Sequence, residues 1–198
     1  MHQELGLAAG VAEERVLLQP CIMGRLREVE RLLRTAQQTD RLPDIGGIGF
    51  PPLRPSQHAA WETALGSGTL VHFSPAEQAS LTLIYSELAD IQNSMSEEQR
   101  LWSSLHVLEG VQGKISDNIL SSTASELAKL RWVSFFGGTA SAQVLSLAAK
   151  MHVKTNQAFV SDTPLSDAEF IAQVRADPLC RPFPVEVRQA GVSIPAGG

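Results

Sequence analysis

The sequence predicts an all-α fold, an irregular antiparallel helical bundle of four to five helices with a Pro/Gly-rich connecting loop. Apolar residues recur three and four positions apart along most of the chain, the period of a helix face. Aromatics make up only 6% of it, so the core must be mainly aliphatic. No strand-like segments alternate with helical ones, which removes a doubly wound nucleotide-binding fold. A chain of 198 residues buries about 70% of its unfolded surface, so its core does not require a metal or disulfide. Residues 1–178 read as a single helical domain and 179–198 as a Pro-rich C-terminal tail.

Residues 4–39 read as one long helix, with Leu7, Val11, Leu18, Ile22, Leu26, Val29 and Leu33 mostly three or four apart. Pro20 removes a backbone donor and predicts a kink or break. Arg25, Arg27, Arg31 and Arg34 alternate with Glu28 and Glu30, the spacing of a solvated helix face. Residues 40–57 form a connector with three glycines and four prolines, long enough to wrap a surface. A short helix spans 56–67, capped by Ser56, with Trp61 and Leu65 one turn apart; Gly66 and Gly68 stop it.

The next helix, 74–110, opens on Ser74, Pro75 and Glu77, the signature of a capping box. Its Leu81, Ile84, Leu88, Ile91, Met95, Glu98, Trp102 and Leu105 alternate steps of three and four, a heptad seam with one polar member. A helix over 116–152 carries Ile119, Leu130, Val133, Ala140, Val144, Leu147 and Met151 on one face. Gly137-Gly138 in its middle predicts either a break or a backbone packed close. The last helix, 166–176, is capped by Ser166 with Glu169 three residues on.

The net charge of −5 and the scattered basic residues give no footprint for nucleic acid. Cys21 and Cys180 share no metal-type spacing. Cys21 reads as a small buried hydrophobe, with a bridge to Cys180 as the alternative in an oxidising compartment. No stretch reaches the ~18 apolar residues of a membrane span. The first residues lack the basic start, apolar stretch and cleavage site of a signal peptide, so the chain reads as soluble.

The chain shows no catalytic constellation. Gly46-Gly47-Ile48-Gly49 is followed by prolines and lacks a GK[ST], so it reads as a loop and not a phosphate cradle. None of the five histidines has a partner at metal-ligand spacing. Glu97 and Glu98 are adjacent and point about 100° apart on a helix, so they cannot face each other as acid and base. There is no GxSxG and no SxxK. Glu98 stands out because its seam position demands a partner, such as Arg25, Arg131 or a backbone amide. A pocket between helices would draw on Trp61, Tyr85, Trp102 and Phe135 or Phe136, with Glu98 or His106 as its polar anchor.

Trp61, Gly68, Leu70, Phe73, Ser74, Pro75, Tyr85, Glu98, Trp102 and Leu105 give the stretch from Trp61 to Leu108 its look. It resembles a loosely defined group of uncharacterised bacterial proteins with a single N-terminal membrane span and a soluble helical domain. The Arg-rich first helix and its Pro-rich connector are similar too. The resemblance implies the soluble part of a membrane-anchored protein, reaching the membrane only through an anchor that this chain lacks. It implies no activity, cofactor or site residue.

Two functions compete. The first is a non-enzymatic helical interaction or sensory-type domain, meeting a protein partner or a second copy of itself through a helix face. The second is a small-molecule-binding protein or cofactor-poor enzyme, its pocket lined by Trp61, Tyr85, Glu98, Trp102 and His106. The sequence gives no positive ground for naming an enzyme.

Overall fold

The computed structural model describes residues 2–55, 58–111, 113–160 and 165–184. Helix takes 74% of it, so the fold is all-α. Five α-helices lie among the described residues: α1 (His2–Thr39), α2 (Ala59–Ser67), α3 (Pro75–Leu105), α4 (Asp117–Lys150) and α5 (Asp167–Arg175). Two strands of two residues each, β1 (Arg41–Leu42) and β2 (Gly113–Lys114), pair antiparallel with Leu42 opposite Gly113. Strands this short leave no period in a sequence, and none was predicted.

The predicted capping boxes close reciprocally. Glu77 Oε2 accepts from the Ser74 amide at 2.8 Å and from its hydroxyl at 2.7 Å, while Ser74 Oγ accepts from the Glu77 amide at 3.3 Å. Ser166 and Glu169 repeat the arrangement at the start of α5. The α2 cap differs. Ser56 lies outside the described residues, and α2 begins at Ala59 after a His58 that caps nothing. The Ala60 amide donates instead to Glu4 Oε2 of α1 at 2.7 Å.

At neither of the two expected interruptions is the helix broken. Helix α1 runs through Pro20 without a break. Leu18 and Ile22, both buried, anchor the helix on either side of it. Their packing outweighs the ~3 kcal/mol that an internal proline costs. Helix α4 runs through Gly137-Gly138. What sits close there is side chain and not backbone, because a Cβ on Gly138 would lie 2.4 Å from the Gln19 side chain.

The chain gathers into two compact units. The first comprises Met1–Gln19, Pro52–Ser96 and Phe135–Arg175. Its core joins Leu5, Ala8 and Ala12 of α1 to Leu81, Ile84, Tyr85 and Leu88 of α3 and Val144 of α4. After Leu5 the buried line of α1 runs on small residues, and Leu7 and Val11 are only half-buried. Small residues let the segment after α4 lie against α1: the Asn156 amide donates to Gly6 O at 2.8 Å. A Cβ on Gly10 would come within 2.1 Å of Asn156 O. Arg54 fastens the end of the connector by forking onto Glu14, one arm at 2.9 Å, with its guanidinium 4.9 Å above the Phe159 ring.

The second unit comprises Pro20–Pro51, Glu97–Ser134 and Ala176–Gly198. In it Glu30 of α1 pairs with Arg131 of α4 at 2.8 Å, and Asp40 O accepts from the Ile115 amide at 3.4 Å. These two helices therefore run antiparallel. Helix α3 is also antiparallel to α4, since Glu98 meets Ser134 and Arg100 meets Glu126. It follows that α1 and α3 share a direction here, which demands a long connection between them. The Pro/Gly-rich connector supplies it and buries Leu42, Ile45 and Ile48 on the way.

Cys21 and Cys180 form a disulfide in this unit, with Cα atoms 4.7 Å apart. Of the two readings of Cys21, the bridge is the one present. It holds residues 177–183 as a strap on α1. Arg25, only 4% exposed, donates to Pro178 O at 3.3 Å and to Arg181 O, and lies 4.0 Å over the Phe183 ring. Burial lowers its pKa, and the neighbouring Glu28 opposes that. Leu179 and Phe183 are the buried side chains of the strap. The tail predicted over 179–198 is thus ordered packing as far as residue 184; residues 185–198 lie outside the described residues.

Candidate interaction surface

The five candidate pocket residues fall into two groups. In the first unit Trp61 and Tyr85 stack, with ring centroids 4.7 Å apart and planes 6° from parallel. The Tyr85 hydroxyl donates to Glu4 Oε1 at 2.8 Å. Burial first, and then the Glu4 carboxylate, raises the Tyr85 pKa, so it stays a neutral donor. Glu4 thereby ties α1 to both α2 and α3.

Glu98, Trp102 and His106 lie in the second unit. Glu98 is buried and accepts from the Ser134 hydroxyl at 2.7 Å. That partner comes from α4, while Arg25 pairs with Glu28 and Arg131 with Glu30. Trp102 is fully buried, its ring tilted 59° against Phe50 at 6.4 Å. His106 Nδ1 meets Glu109 Oε1 at 2.8 Å, and the same oxygen accepts from the Ile48 amide at 2.6 Å. These contacts fix the Gly-rich loop in place.

Phe135 and Phe136, offered as pocket walls, point outward. Phe135 is 54% exposed and Phe136 38%, and Trp132 one turn earlier is 69% exposed. Residues three and four apart on a helix share a face, so the three rings form one patch. The patch sits on a longer outward line. Ser125, Ala128, Trp132, Phe135, Thr139 and Ala142 alternate steps of three and four, continue to Ser146 and Ala149, and are all exposed. None is charged, and no charged side chain occurs anywhere from Trp132 to Ala149. An ordinary solvated helix face carries charge, so this one is unusual. Thr139 adds little polarity, because its hydroxyl donates back to Phe135 O at 3.0 Å.

Charge is concentrated at the start of α4. Arg100 grips Glu97 with two contacts of 2.8 Å and reaches Glu126 at 3.0 Å; Lys129 meets Glu126 at 3.2 Å. The hydrogen bond from Arg100 holds Glu97 below its ordinary pKa, and that from Lys129 does the same for Glu126. Nearby, a groove of about 480 Å³ has Leu33, Leu120 and Leu127 on its floor. Its Arg34 and Arg131 already share Glu30, at 2.9 and 2.8 Å.

The uncharged run from Trp132 to Ala149 is visible in the sequence and reads there as a packed helix. The face predicted to be apolar is the side that packs, since Leu130, Ala140 and Val144 are buried and Val133 and Leu147 half-buried; the exposed rings on the other side are what that prediction does not show. Among the described residues no group of three His, Cys, Asp or Glu could hold a metal ion, and no helix is long and apolar enough to cross a membrane. Fold and surface together define an all-α chain with an outward aromatic seam. Compared with known proteins, it matches no family model, no curated protein and no solved structure.

Proposed function

We propose that this chain is a non-enzymatic helical interaction domain that meets a protein partner through the outward face of α4. One observation carries the reading: an uncharged line of exposed positions with Trp132, Phe135 and Phe136 at its heart. Contiguous exposed apolar surface marks interaction sites in soluble domains. Aromatics are also the residues on which binding energy concentrates. Moving each ring out of water contributes on the order of 1 kcal/mol or more.

The wider setting we propose is the soluble part of a membrane-anchored bacterial protein, held on the oxidising side of the membrane. The Cys21–Cys180 bridge favours that side, because disulfides persist where thiols are not kept reduced.

The test is a photo-crosslinking residue placed at Phe135 in the cells the protein comes from, with exposed Gln99 on α3 as the control position. The reading expects a discrete adduct from position 135 that disappears when Trp132→Ala is added, and none from position 99. Absence of any adduct at 135 overturns it.

A further inference from the structure

We infer that the partner is a second copy of this chain, docked antiparallel with α4 on α4 and the two-fold axis passing beside Phe136. The inference rests on α4 being the docking face, as proposed above, and adds what covers it.

The outward line has the heptad spacing of a two-helix seam, and its residue sizes are unevenly placed. The two large seam residues, Trp132 and Phe135, come early, and the positions after them are Thr139, Ala142, Ser146 and Ala149. Antiparallel pairing about an axis near residue 137 brings each seam position opposite one of complementary size. Trp132 meets Ala142 of the second copy, Phe135 meets Thr139, and Ala128 meets Ser146. Every layer then sets large against small or small against small, the condition for interdigitated packing without voids. A parallel pair would stack Trp132 on its own counterpart and leave Ala142 facing Ala142 across a gap.

Charge agrees with the antiparallel register. Phe136 flanks the axis and faces its own counterpart. Lys129 comes opposite Gln143, and Arg131 opposite Leu145, so no charge meets a like charge. A two-fold interface of this kind is self-complementary, with the same patch used on both sides. The seam from Ser125 to Ala149 is about 36 Å long and one helix wide, which buries on the order of several hundred Å² for each copy. That is the low end for a specific interface, so association in the micromolar range is expected.

The experiment is sedimentation equilibrium on the intact, disulfide-bonded chain over a concentration series. Mass should rise from one chain to two as concentration climbs through the micromolar range. Trp132→Lys and Ala142→Glu both change exposed positions, so each variant should keep its helical circular dichroism while dimerising at least about tenfold more weakly. An equimolar mixture of the two variants should recover the dimer. The new lysine at position 132 of one chain then faces the new glutamate at position 142 of the other, and the remaining native layer is intact. A parallel seam offers no such pairing.

A mass of one chain throughout the series overturns the inference, and so does a mixture that fails to recover. The mass of the adduct at position 135 separates the two readings. An adduct of two identical chains supports both, and an adduct with a different protein leaves the docking face standing and removes the self-pairing. No adduct removes both.

Discussion

Helices α3 and α4 carry lines of the same heptad period turned opposite ways. In α3 the line faces inward: Leu81, Ile84 and Leu88 enter the core of the first unit, and Trp102 and Leu105 are buried in the second. In α4 the line from Ser125 to Ala149 faces out and is exposed throughout. Period alone therefore tells that a face exists and not where it points. Each helix places a tryptophan on its line, Trp102 fully buried and Trp132 exposed, so one residue type can be compared in both settings.

The largest expected effect is at Trp102. Trp102→Ala should cost about 3–5 kcal/mol in urea unfolding, through lost burial and the cavity left behind. A loss below 1 kcal/mol would mean that the α3 line does not carry the core. Next comes Glu98, the polar member of that line. Glu98→Ala removes the acceptor of the Ser134 hydroxyl and should cost about 1–3 kcal/mol, whereas Glu98→Gln keeps an acceptor and should cost less. Equal losses for the two would dissociate the effect from this hydrogen bond.

A smaller effect is expected where α3 begins. Hydrogen bonds from Ser74 hold Glu77 below its ordinary pKa. A depressed folded pKa stabilises above the unfolded pKa and loses that contribution as pH falls through the folded value. Glu77→Gln should therefore lower the thermal midpoint slightly at neutral pH, and the gap should close in acid, below the ordinary carboxylate range. A gap that is constant with pH would rule out the charge. The smallest effect is at Trp132. Trp132→Ala should change monomer stability by no more than about 0.5 kcal/mol, as befits an exposed position. A loss near that of Trp102→Ala would show that the α4 line is packed and not outward.

Much of the fold is legible because caps and period are local signals. Ser74 with Glu77, and Ser166 with Glu169, mark helix starts that the structure reproduces. The course through Pro20 is not legible, since the packing of Leu18 and Ile22 that outweighs the proline is tertiary. The buried face of α4 is legible from Leu130, Ala140 and Val144, but the outward placement of its rings is not. Hydrophobicity would turn Trp132, Phe135 and Phe136 inward, yet the inward side holds Ser134, Ser141 and both glycines. The two glycines make room for Arg15 and Gln19 of α1, and a contact between residues so far apart leaves no trace in local spacing. Of the candidate site, the Trp61–Tyr85 pair and the burial of Glu98 could be anticipated. The distribution of the five residues over two compact units could not, because it arises from long-range contacts alone.

The bridge between Cys21 and Cys180 joins positions 159 residues apart, so most of the polypeptide is a closed ring. A single cut by a protease anywhere inside that ring, the Pro-rich connector included, leaves one covalent molecule. The nicked protein should migrate as one band on a gel without reductant and as two with it. Two bands without reductant would show that the ring is open.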